Sequence, residues 1–213
     1  MKKIFLLIVG TFMAIAPVFA DVTPYSVNDI NPKTIGVYQA GNVIKVYKEP
    51  NENSPVLFQT MWNETGLTYS PLNARDVFIA FYPKKNLGFL AVTDESEDME
   101  WVQILYQHDK LGWIKIDDPY KYSNWRNFLN DYGRKYGLMY LKGTPESSKN
   151  LYGSPDETSK MIASVTLAKA IKLTSVSGNW LLAIIYDIDH SQKIGWLNWR
   201  TKDGYIYLFP SIK

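Results

Sequence analysis

Cysteine is absent from this chain of 213 residues. That excludes disulfides, thiolate metal sites and cysteine nucleophiles, and it leaves stability to packed cores. Histidine is nearly absent, with His108 and His190 the only imidazoles. No G-x-S-x-G occurs to set a serine nucleophile on a strand-to-helix elbow. Surplus charge is lacking too. Lys+Arg number 23 against 21 Asp+Glu, and Lys2 and Lys3, which have no acidic neighbour in the first 20 residues, account for the difference. The remainder is neutral, without the basic field that nucleic acid or an anionic membrane surface requires. Beyond residue 20 no apolar run approaches the roughly 20 residues that cross a bilayer.

What is present begins with a targeting pattern. Lys2 and Lys3 precede an apolar run from Ile4 to about Ala16, and Pro17-Val18-Phe19-Ala20 puts small residues at the minus-three and minus-one positions. Residues 1–20 therefore read as a secretory signal, and the mature chain is expected to start at Asp21, be exported and reside in the periplasm. With no Cys after the run, a lipidated cysteine is impossible.

The rest is written twice. Lys110-Leu111-Gly112-Trp113-Ile114 returns as Lys193-Ile194-Gly195-Trp196-Leu197, each closing an aromatic stretch that opens at Trp101 and Trp180 respectively. Upstream, Tyr47-Lys48-Glu49-Pro50 through Val56-Leu57 aligns without a gap on Tyr152-Gly153-Ser154-Pro155 through Met161-Ile162. Two anchors recurring in the same order indicate internal duplication. The first copy is enlarged between Trp62 and Asp98, where an added hairpin over Pro83-Lys84-Lys85-Asn86 is expected.

Short apolar segments at small intervals, broken by turn residues, predict an all-β fold. Ile35 and Val37, with Ile44 and Val46 around Gly41-Asn42, read as two paired strands. Between the copies, Ser123 is expected to cap a helix whose Trp125, Phe128, Leu129 and Tyr132 share one face, ended by Gly133 or Gly137. That stripe is expected to pack on one or both copies. The organisation expected is a signal (1–20), a first small β-barrel with its inserted hairpin (21–118), a helical connector (119–137) and a second barrel (138–213).

The paired anchors resemble the bacterial Src-homology-3 (SH3b) family. Glu49-Pro50 through Val56-Leu57 and Ser154-Pro155 through Met161-Ile162 match its N-terminal leg. Trp101-Val102-Gln103-Ile104 with Gly112-Trp113-Ile114, and Trp180-Leu181-Leu182-Ala183 with Gly195-Trp196-Leu197, match its late hairpin. Departures occur in the leg, where the family's Arg is Lys48 or Gly153 and its Gly before Pro is Glu49 or Ser154. The resemblance implies two tandem SH3-like barrels and a noncatalytic module that binds cell-wall peptide, often beside a wall hydrolase. A Cys-His peptidase would need a cysteine, so no such enzyme lies in this polypeptide.

Candidate chemistry is sparse. His108 beside Asp109 and His190 beside Asp189 fall in the turn before each Gly-Trp and are expected to be turn residues, neither catalytic nor metal-bound. Asp94, Glu95, Glu97, Asp98 and Glu100 form an acidic run, expected to be a solvated loop with no bound cation or cofactor. Trp113 and Trp196 are expected in the core. Tyr47, Trp101, Tyr152 and Trp180 sit at strand edges, where an amphipathic ring either fills the core or offers its face to an extended peptide. If ligand-binding, these four would flank a groove brought together by barrel closure. Two functions remain open: a binder of wall peptide or of an extended envelope peptide, and a periplasmic interaction factor such as an enzyme inhibitor or immunity-type protein.

Overall fold

Strict alternation of burial along the strands fixes which face of each looks inward. In Trp180–Tyr186, Leu181, Ala183 and Ile185 are fully buried, while Trp180, Leu182, Ile184 and Tyr186 stand half-exposed on the other face. The computed structural model of the protein describes residues 21–117, 121–166 and 168–212. The expected signal (1–20) and the expected 118/119 boundary lie outside the described residues.

The fold is all-β, with two antiparallel sheets. The first contains β1 (Gly36–Gln39), β2 (Val43–Tyr47), β3 (Val56–Asn63), β4 (Gly66–Tyr69), β5 (Ala80–Tyr82), β6 (Leu87–Glu95), β7 (Trp101–Tyr106), β8 (Lys110–Lys115) and β9 (Tyr122–Asn124). The second contains β10 (Leu138–Tyr140), β11 (Asn150–Tyr152), β12 (Met161–Ser164), β13 (Ala170–Ser177), β14 (Trp180–Tyr186), β15 (Gln192–Asn198) and β16 (Leu208–Pro210). The order β3-β2-β8-β7-β6-β1-β9 in the first is repeated as β12-β11-β15-β14-β13-β10-β16 in the second. Even the irregularities recur. Register shifts at Val46/Tyr47 and Val92/Asp94 are matched at Leu151/Tyr152 and Leu173/Ser175.

Two expectations are corrected here. Neither path of strands returns on itself, so among the described residues the sheets are open and no closed barrel forms. The strands at the path ends have only three or four residues, too few ladder bonds to seal a seam. Nor do β1 and β2 form a hairpin: β1 pairs with β6 and β9, and β2 with β3 and β8. The Gly41-Asn42 corner is claimed instead by Trp62, whose indole N–H donates to Gly41 O at 2.7 Å and whose carbonyl accepts from the Asn42 side-chain amide at 3.0 Å. The inserted hairpin forms as expected between β5 and β6, with Asn86 in the left-handed region (φ 54°).

Each Gly-Trp glycine lies where the leg strand crosses the hairpin. A Cβ on Gly112 would stand 2.4 Å from Val46 Cγ1, and one on Gly195 would stand 2.7 Å from Leu151 Cγ and from Tyr152 O. No side chain fits at either position, so glycine sets the distance between leg and hairpin.

A single helical turn, α1 (Ala74–Val77), precedes β5. Between the sheets runs a longer helical stretch, α2, made of Trp125–Phe128, a wider π turn at Leu129–Gly133 and Arg134–Tyr136. Its cap is Asn124, whose side-chain oxygen accepts from Asn127 N–H at 2.9 Å; Ser123, expected in that role, belongs to β9. The helix passes through Gly133, because the missing Cβ admits Leu138 and Leu173, and stops at Gly137 with φ 76°. Trp125, Phe128 and Leu129 are buried as the stripe requires. The Phe128 ring meets Phe89 of β6 at 5.1 Å and Phe209 of β16 at 5.5 Å, so one side chain joins both sheets. Tyr132 donates to Gln39 Oε1 at 2.7 Å, and burial pushes its phenol up to about 12, keeping it a donor at neutral pH.

The chain's first described residues add a second tie. Tyr25 O accepts from Lys142 N–H at 2.8 Å, Val27 N–H donates to Lys142 O at 3.0 Å, and Arg200 Nη2 donates to Thr34 O at 3.1 Å. Phe128→Ala should therefore cost about 3–5 kcal/mol and lower the denaturation midpoints of both sheets together, followed by the fluorescence of Trp62 and Trp199 as single-tryptophan reporters. Gly195→Ala should cost about 1–3 kcal/mol by overpacking. Gly153→Ala is the control, since its added Cβ would be 3.7 Å from the nearest atom.

Candidate functional site

The leg turn is reproduced bond for bond in the two copies. Lys48 N–H reaches Pro55 O as Gly153 N–H reaches Lys160 O, at 2.9 and 3.0 Å. Ser54 Oγ accepts from Glu49 N–H as Ser159 Oγ accepts from Ser154 N–H. Asn51 and Asp156 each cap the amide two residues on, at 2.8 Å. This turn presents Tyr47 and Tyr152 to the hairpins.

The rings expected to meet do meet. Tyr47 and Trp101 pack edge to face with centroids 5.4 Å apart, and Tyr152 and Trp180 do so at 5.6 Å. Their exposure differs. Tyr47 and Trp101 are buried, at 8% and 4%, whereas Tyr152 and Trp180 are half-exposed. Trp101 follows a longer turn, Ser96 to Glu100, whose Ser96 Oγ accepts the Trp101 N–H at 3.0 Å. The acidic run begins in β6, with Asp94 and Glu95 paired to β7, and only its Glu97, Asp98 and Glu100 lie in that turn as expected; Asp98 accepts from Ser96 Oγ and from Glu100 N–H, and these bonds hold its carboxyl below the usual range.

Trp113 and Trp196 overturn the core expectation. Alternation turns Gly112 and Ile114, and Gly195 and Leu197, inward, leaving both tryptophans half-exposed on the outer face. There each lies opposite its leg tyrosine, Tyr47 across from Trp113 and Tyr152 across from Trp196. Each outer face thus carries a Tyr-Trp-Trp cluster.

Beside each cluster lies a groove, and the two share three aligned positions. The first, about 460 Å³, includes Val43, Glu52 and Lys115, together with Tyr47. The second, about 580 Å³, includes their alignment counterparts Ser148, Glu157 and Asn198, together with Trp180, Lys202 and Tyr207. Lys115 lies directly across the ladder from Trp101, and Asn198 directly across from Trp180. In the first groove Lys115 Nζ bonds Glu52 Oε1 at 2.9 Å, and this bond with the Glu52 charge holds the ammonium above its usual range. In the second, Asn198 cannot make that pair, and its Oδ1 is buried without a hydrogen-bond partner. Sequence reading passed over these two positions, although each stands two residues after its Gly-Trp tryptophan.

His108 and His190 are exposed turn residues with φ of 69° and 65°, one on each sheet's hairpin. Asp189, the neighbour that would orient His190 in a triad, accepts instead from Ser191 N–H at 3.0 Å and Ser191 Oγ at 2.7 Å, which lower its carboxyl pKa.

With this geometry in hand, the chain was compared with known proteins: no family model matches it, and no curated protein matches it. Trp101→Ala should cost about 3–5 kcal/mol of stability. Trp180→Ala, removing a half-exposed ring, should cost less than half as much, as read by chemical denaturation of the two variants side by side.

Proposed function

We propose that this is a noncatalytic, exported binding protein built from two SH3b-like units, which recognises cell-wall peptide or another extended peptide segment in the envelope. The observation that carries this reading is the leg tyrosine packed edge to face on the hairpin tryptophan in both copies, with a groove beside each pair. Aromatic rings flanking a shallow cleft give an extended peptide apolar contact and leave its backbone to polar rim groups. The repeated strand order, the shared register shifts and the bond-for-bond leg turn support two units of one kind. Export to the periplasm rests on the pattern of residues 1–20.

A second reading, an envelope interaction factor such as an enzyme inhibitor or immunity-type protein, draws on the outer face of the second sheet. Leu182, Ile184 and Trp196 are half-exposed there, and Ile194 is 60% exposed. A row of that kind suits a protein partner.

Retention on purified peptidoglycan separates the two. The chain from residue 21 onward should co-sediment with it, and Trp180→Ala should lose retention by tenfold or more while keeping its fold. Absence of retention by the unaltered chain would reject the wall reading and leave the second. Native wall material should remain undigested by the chain, and His108→Ala and His190→Ala should not alter binding.

A further inference from the structure

The two copies differ at one position beside the aromatic pair. In the first copy the Lys115 ammonium bonds the leg-turn carboxylate of Glu52, and Lys115 lies across the ladder from Trp101. In the second copy the carboxylate persists as Glu157 and the ring as Trp180, but the position of the lysine is held by Asn198. Among the described residues no ion pair engages Glu157. Lys202 lines the same groove, exposed and without an ion pair to Glu157.

We infer that the second groove takes an extended peptide bearing a primary ammonium side chain, which occupies the place that Lys115 fills internally in the first copy. This rests on the peptide-binding reading above and names the chemistry of its ligand. Three independent features of the second copy support it. The carboxylate is unpaired. The Trp180 ring is half-exposed, where its counterpart is covered, so a cation can approach an indole as well as a carboxylate. Asn198 lines the groove, and its Oδ1 is an acceptor with no donor. In the first copy the carboxylate is already engaged by the chain's own Lys115. The pair formed there is exposed, at 41% and 62% of the two side chains, so the ammonium contributes selectivity more than affinity, and most of the binding comes from the rings.

The test uses two acetylated, amidated pentapeptides, Ala-Ala-Lys-Ala-Ala and its norleucine counterpart, titrated into the purified chain while the tryptophan indole N–H signals are followed by NMR. The lysine peptide should shift the Trp180 signal and leave that of Trp101 in place. It should bind about two- to five-fold more tightly than the norleucine peptide, the range expected of an exposed ion pair. Glu157→Gln, an exposed substitution, should abolish that preference. Asn198→Lys, which imports the first copy's internal cation, should weaken the lysine peptide to the norleucine level. Equal affinity of the two peptides at Trp180 would overturn the ammonium assignment and leave the aromatic groove standing, as would a preference that survives Glu157→Gln. Failure of both peptides to bind would overturn the ammonium assignment, and retention on wall material would then decide the broader reading by itself.

Discussion

Leg and hairpin approach each other in this protein until no Cβ fits between them, and the rest of the architecture follows from that contact. At Gly112 and Gly195 the crossing strand is so near that an alanine would overlap Val46 in one copy and Leu151 in the other. The closeness carries Tyr47 onto Trp101 and Tyr152 onto Trp180, and it places Trp113 and Trp196 opposite the same tyrosines on the outer face. A chain with no cysteine has no covalent means of pinning a leg to a hairpin. Here steric fit and ring-on-ring packing do so, twice.

Duplication with divergence then gives two nearly identical frames in different states. Four features separate the copies around the groove: the two-residue-longer turn before Trp101, the Glu52–Lys115 pair, the burial of Tyr47 and Trp101, and the β4–β5 insertion. The pair and the burial of the two rings leave the first copy less accessible there. The second keeps its rings, its carboxylate and its outer apolar row accessible. The two frames are joined by α2, whose Phe128 packs on a phenylalanine of each sheet.

Much of this was legible in the sequence, because duplication supplies an internal control. The Gly-Trp and leg anchors gave the equivalence that the strand order, register shifts and turn bonds reproduce, and the aromatic pairing follows from it. Periodicity also located the buried stripe of α2. The failures have local causes. Gly41-Asn42 looks like a hairpin turn, but a distant indole, that of Trp62, takes its carbonyl, so the strands on either side separate. Gly133 resembles a helix stop and is instead a packing notch for Leu138 and Leu173. Trp113 and Trp196 look like core because they are large and apolar, yet each follows the glycine that must face inward, and a period of two then sends the indole outward. The open sheets were beyond reach, since closure depends on the reach of strands three or four residues long.

Residues 21–35 lie at the beginning of the described chain, but their partners come from far along it. Val22 pairs with Phe81, Ser26 with Lys142, and the carbonyls of Pro32 and Thr34 receive Arg200, while Gly204 rests on Pro32. Val22 closes a loop of about sixty residues, whereas the contacts with Lys142, Arg200 and Gly204 close loops of well over a hundred, at a greater cost in chain entropy. In a chain made from its N-terminus, Val22 and Ile35 find their partners once Phe81 and Val92 exist, whereas Ser26 and Thr34 wait for Lys142 and Arg200. The one segment is therefore fastened in two instalments, and the second ties the earliest residues to the latest.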